Sequence, residues 1–151
     1  LSGAGEPAAG VAALAAELGL SSCVHWVGDV SAEAMAEEVV TADVAVVPAP
    51  RSPAASVVLA REVFVYASLG CAVVASRLPA LTSYFGDDAF VYFAPGDPDD
   101  LAGKLYTVFA HPEELAGRVA AAAKIMETYR WERERKKYLG VFHKLLAPPK
   151  G

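Results

Sequence analysis

The stretch "SVVLAREVFVYASLGCAVVAS", Ser56–Ser76, decides the fold. Its first two thirds place apolar residues at helical spacing, and Gly70 is a helix stop. "AVVAS" then follows as an apolar run without polar alternation, the pattern of a strand covered on both faces. A helix from about Val57 to Leu69 feeding a buried strand is half of a parallel α/β repeat. In such sheets, ligands bind beyond the carboxyl ends of the strands.

The same alternation extends in both directions. "LSGAG" (Leu1–Gly5) reads as a strand end running into a glycine turn. A helix follows, with Pro7 at an early position and Gly19 as its stop. "CVHWVG" reads as a short strand ending at Gly28, and Ser31 caps a helix running through Ala42. "DVAVVP" (Asp43–Pro48) is a nearly all-apolar strand, and "APRSPAAS" is a loop. Beyond Ser76 come a short helix over "LPALTSYF" and a strand over Phe90–Phe93. Asp97 caps a helix with Pro98 in its first turn, ending near Ala110. A helix from Pro112 to about Tyr129 and an amphipathic helix over "WERERKKYLGVFHKLL" complete the chain. The expected fold class is α/β, a Rossmann-like doubly wound parallel sheet. Residues 1–129 would form the body, and 130–151 a C-terminal helix and tail of the same domain. The candidate ligand loops follow Gly28, Pro48, Ser76 and Phe93.

Composition narrows the function classes. The chain has 151 residues, 54% of them hydrophobic, with 13 Lys and Arg against 18 Asp and Glu, a net charge of −5. That balance argues against a nucleic-acid binder, which usually presents a basic face. No apolar run approaches the roughly 18 residues of a membrane span, and no signal peptide is visible. Cys23 and Cys71 lack CxxC spacing and are expected as buried thiols in a reducing cytoplasm. His25, His111 and His143 have no partners at metal-ligand spacing. The chain starts at Leu1, as a fragment of a longer protein would.

Six pieces resemble one family in order: "LSGAG", "LGLSSCVHWVGDVS", "TADVAVVP", "FVYASLGCAVVASRLPAL", "YFAPGDPDDLAGKL" and "YRWERERKKYLGVFHKLL". They are similar to the C-terminal domain of GT-B glycosyltransferases, nearest the retaining group called family 4. The resemblance covers nearly the whole chain. It implies a domain that binds a nucleotide-diphosphate sugar of UDP or GDP type as substrate, with no metal or other cofactor. It also implies a preceding acceptor-binding domain as partner, with transfer in the cleft between them. On this resemblance the chain starts too late to include the family's first strand and helix, so the sheet would be truncated at its N-terminal edge. The Trp131 helix resembles the segment that packs back toward the N-terminal domain.

The chain departs from the family's pattern where the donor is held. The family carries two glutamates separated by seven residues, and ungapped matching places them at Val57 and Val65. The later one contacts the donor ribose, and valine offers no acceptor for a hydroxyl. Close variants carry a lysine at the position of Glu62, so a cation facing a diphosphate becomes an anion. The family's glycine-rich turn is replaced by "SPAAS". A rebuilt anion site from Arg51, Ser56, the first helical N–H groups and Arg61 is one reading, with Ser52 as a further hydroxyl. Surface arginines and a serine cap are the other.

Gly5, in "GAG", and Gly28, behind His25 and Trp26, are the remaining candidates for contact with the nucleotide. A tight turn explains the first equally. Alternation places Val24 and Trp26 on one face and His25 on the other. Asp87 and Asp88 fit a solvated turn. Trp131, Tyr138, Phe142 and Leu145 form an apolar stripe, expected to dock on the domain with charges outward. The basic residues of that helix also fit a peripheral membrane contact. The functional expectation is a glycosyltransferase donor domain supplying charge stabilisation but no catalytic base. The alternative is a non-catalytic scaffold or partner-binding module that kept the fold.

Overall fold

The computed structural model describes residues 7–28 and 30–146. "LSGAG", with Gly5, and the "PPKG" tail lie outside them. Residues 1–41 and 42–151 form two compact units.

In the first unit, helix α1 spans Pro7–Glu17 and α2 spans Ala32–Thr41. Gly19 takes the left-handed conformation (φ 69°) that ends α1. The Leu20 amide then donates to Ala15 O at 2.7 Å and the Gly19 amide to Ala16 O at 3.0 Å, satisfying carbonyls the helix end leaves open. The Ser31 hydroxyl accepts from the Ala34 amide at 3.2 Å, the expected N-cap of α2. "CVHWVG" is not a strand. Residues 21–23 form a turn, and no strand pairing involves residues 24–28. Alternating apolar residues make a strand only where a neighbouring chain supplies the ladder's N–H and C=O groups. Val24 and Trp26 are nonetheless half-buried while His25 is exposed, so the two faces were assigned correctly. Cys23 is exposed, against the expectation of a buried thiol, whereas Cys71 is buried.

The second unit is built on three parallel strands, β1 (Val44–Val47), β2 (Ala72–Ser76) and β3 (Val91–Phe93), in the order β1-β2-β3. Val44 pairs with Ala72 and Val47 with Ala75; Val74 pairs with Val91 and Ser76 with Phe93. All five residues of the central strand are buried. Helices α3 (Pro53–Val57), α4 (Glu62–Ser68), α5 (Pro79–Thr82), α6 (Pro98–Ala110), α7 (Glu113–Thr128) and α8 (Trp131–Leu146) complete the unit. Alternate residues of β2 enter opposite cores. Val73 and Ala75 join Val63 and Ala67 of α4, Ala122 of α7, and Leu81, Phe85 and Phe90. Val74 joins Phe93 and Val108 of α6, with Leu101, Leu105 and Leu115 around them. The sheet therefore carries helices on both faces, and the α/β class stands.

Two expected helices differ. The one drawn from Val57 to Leu69 is two. Ser52 and Pro53 start a helix early, with the Ser52 hydroxyl accepting from the Ala55 amide at 3.1 Å. The β-branched pair Val57–Val58 does not carry it on, and Val58 is extended at φ −88°, ψ 123°. The chain re-enters a helix at Glu62 and stops where expected, at Gly70 (φ 78°), with the Cys71 amide donating to Tyr66 O at 3.0 Å. Helix α8 does not dock as expected. None of its residues is buried; Trp131 is 64% exposed and Leu145 74%. Its apolar stripe exists but is largely exposed.

Ser76 is the one buried polar residue of the described core. Its hydroxyl accepts from the Ala49 amide at 2.8 Å and lies 3.4 Å from the Ala49 carbonyl, tying the chain after β1 to the end of β2. Ser76→Ala leaves that amide without its partner in an apolar setting. A loss of about 1–3 kcal/mol is expected from urea unfolding.

The Tyr92 hydroxyl donates to the Phe85 carbonyl at 2.8 Å. Burial pushes its phenol up from 10.0 to about 12, against the lowering effect of Arg77. The folded state thus holds this proton more tightly than the unfolded chain. Its stabilising contribution is complete below pH 10 and is lost as pH rises from about 10 to about 12. Tyr92→Phe removes this component, so alkaline unfolding followed by circular dichroism shows a smaller stability loss across that window.

Candidate functional site at the strand ends

Three hydrogen bonds, two of them between backbone groups, fix the loops beyond the carboxyl ends of the sheet. The Arg77 amide donates to Phe93 O at 2.8 Å, the Gly96 amide to Ala49 O at 3.1 Å, and Ser76 holds Ala49 as described. Gly96 has φ 72°, and a Cβ there would stand 3.3 Å from the Arg51 nitrogen. Glycine is needed both for the backbone conformation and for this close approach.

Together these loops enclose an open cavity of about 300 Å³, at the small end of the range for ligand pockets. Pro50, Pro53, Pro79 and Pro95 form much of its wall, with Leu78. Their fixed φ angles make the wall stiff. The polar lining is Arg51, Ser52, Ser56 and Arg77, with no acidic residue among the lining groups. Ser52 caps α3, and the Ser56 hydroxyl donates to Ser52 O at 3.2 Å, leaving its oxygen lone pairs available. The cavity is therefore cationic in a chain of net charge −5.

Of the residues singled out in the sequence, Arg51, Ser52 and Ser56 come together here. Arg61 does not line the cavity. It precedes α4 in a helical conformation (φ −65°, ψ −26°) and is exposed. Because the helix breaks after Val57, Ser56 and Arg61 belong to separate turns. Gly28 lies in the first unit with φ 70°, and Gly5 is outside the described residues. Val57 is 81% exposed at the end of α3 and Val65 is 44% exposed on α4. Glu62 sits in the first turn of α4, where a carboxylate suits the helix dipole.

Sequence reading missed Arg77. It follows the buried strand directly, and that position at a strand's carboxyl end was the available signal. Its guanidinium lies 4.9 Å from the Tyr92 ring centre and pairs with Asp87 at 2.5 Å. That hydrogen bond holds the Asp87 carboxyl below its usual range. Arg77 also borders a second cavity of about 260 Å³, between β3, α6 and α7. There Arg118 donates to the carbonyls of Asp87 and Phe90, and Lys104 stands 3.8 Å from Asp100. Arg118 and Lys104 are thus engaged within the fold, as Arg77 is with Asp87.

The family model of Glycosyl transferases group 1 matches residues 1–111. The chain belongs to this family. Its fold agrees with that of solved glycosyltransferases. Sucrose-phosphate synthase from Thermosynechococcus elongatus superposes with a TM-score of 0.81 at 20% identity, over 96% of this chain and 37% of that one. A glycosyltransferase from Rickettsia africae gives 0.78 at 15% identity, over 92% and 36%. Anabaena HepE, in complex with UDP and glucose, gives 0.74 at 18% identity, over 93% and 40%. The chain thus spans well under half the length of these proteins. No curated protein sequence matches it. The second unit is the Rossmann-like α/β arrangement of a GT-B C-terminal domain, and its candidate pocket lies at the strand ends.

In this group 1 glycosyltransferase chain, Gly96 sets the shape of that pocket. Gly96→Ala forces a side chain into the left-handed region, at a cost of about 1–2 kcal/mol, and presses on the Arg51 backbone. A lowered thermal midpoint is expected, with altered amide shifts at Arg51 in NMR spectra.

Proposed function

We propose that this chain is the donor-binding part of a glycosyltransferase and holds the diphosphate of a nucleotide sugar at the carboxyl ends of β1, β2 and β3. One observation carries the reading: a cavity with two arginines, two serine hydroxyls and no acid, set in an acidic chain. Arginine presents a planar fork of donors that matches phosphate oxygens, and hydroxyls add directed hydrogen bonds. As the sugar departs, negative charge grows on the nucleotide phosphate, and fixed cations stabilise that charge most. A cavity of this size takes part of a nucleotide sugar. The acceptor would sit on a preceding domain, with transfer in the cleft between the two. The uncovered apolar stripe of α8 supports such a partner, and its basic face keeps a peripheral membrane contact among the alternatives. The two free thiols fit a reducing cytoplasm.

A second reading, a non-catalytic module that kept the fold, is favoured by the two exposed valines, Val57 and Val65, where the family's glutamates would stand. Titration calorimetry with UDP, GDP and uridine separates the two. The donor reading predicts saturable binding of one diphosphate and none of uridine, with Arg51→Ala weakening it about tenfold. Flat traces with both diphosphates at millimolar concentration support the module instead.

A further inference from the structure

We propose that Arg77 is a phosphate-binding cation of this pocket, and that Asp87 competes with the ligand's phosphate for it. This rests on the donor-binding reading above and adds a residue and a means of tuning to it.

The position of Arg77 is fixed while the use of its charge is not. Its Cα is set by the buried strand before it and by the bond from its own amide to Phe93 O at 2.8 Å. Its side chain forms part of the wall of both cavities. The guanidinium rests against the Tyr92 ring. That ring is itself anchored through its hydroxyl to Phe85 O.

Opposite the guanidinium stands Asp87. The side chains of Arg77 and Asp87 are 52% and 70% exposed. An ion pair in water at that exposure contributes little to folding. A diphosphate offers the same guanidinium more oxygens and more charge, so exchange of one anion for the other needs no unfolding. Arg51, the other cation of the pocket, has no acidic partner among the described residues and lies on a different loop. A phosphate held between the two arginines would draw Arg77 from Asp87. The carboxylate then opposes binding by retaining the cation.

The opposition gives a distinctive signature. Removing Asp87 helps binding only while Arg77 is present to be freed. Isothermal titration of UDP against four versions of the protein reads this: the parent, Arg77→Gln, Asp87→Asn and the double variant, each checked for an unchanged circular dichroism spectrum. Arg77→Gln is expected to weaken binding about tenfold. Asp87→Asn is expected to tighten it about two- to threefold, and to change nothing when Arg77 is already glutamine. An affinity unchanged in Arg77→Gln overturns the proposal and leaves the donor reading intact. An Asp87→Asn gain that persists in the double variant overturns the competition. A parent that binds no UDP or GDP overturns the donor reading, and this proposal with it.

Discussion

The hydroxyl of Ser76 and the backbone of Ala49 form the contact on which the candidate site depends. β2 is central in the sheet and covered on both faces, so a polar group at its end has no water to turn to. Ser76 meets that constraint by bonding the chain that leaves β1. The bond sets where Ala49 lies, and Ala49 in turn receives the amide of Gly96 from beyond β3. Loops from three strands are thereby joined through Ala49, Ser76 and Gly96. Arg51, Ser52 and Ser56 extend from the first loop and Arg77 from the second, while Pro95 closes the wall from the third.

Much of this architecture was legible in the sequence, because it rests on short-range rules. Gly70 and Gly19 stop their helices, Asp97 and Ser31 cap theirs, and the all-apolar "AVVAS" is buried throughout. The misreadings came where tertiary partners decide. "CVHWVG" has the alternation of a strand but no pairing among the described residues. "SVVLAREVF" has helical spacing, yet an earlier start signal at Ser52–Pro53 and the stiff pair Val57–Val58 divide it. The stripe of α8 was correctly seen as apolar, but amphipathicity says that a face seeks cover and not what covers it. Cys23 shows the same limit: an apolar neighbourhood in sequence did not bury it.

The site was legible in part for the same reason. Arg51 and Ser56 stand close in sequence to the loop that the strand-end rule selects, and they meet in one cavity. Arg61 was linked to them through a continuous helix that does not exist. Arg77 was passed over because its importance comes from a crossing of loops, not from a motif. The departures at Val57, Glu62 and Val65 also change meaning in three dimensions. Glu62 fits the start of α4 on local grounds alone. The two valines leave hydrocarbon facing solvent.

The central claim is that the acid-free pocket at the strand ends takes a nucleotide diphosphate. The most direct measurement is a nitrogen-15 NMR titration of this chain with UDP, following the backbone amides. The account predicts saturable shifts concentrated at Arg51, Ser52, Ser56, Arg77 and Leu78, with little change at Arg61. Shifts centred instead on Lys104, His111 and Arg118, or no saturable shifts at all, would contradict it.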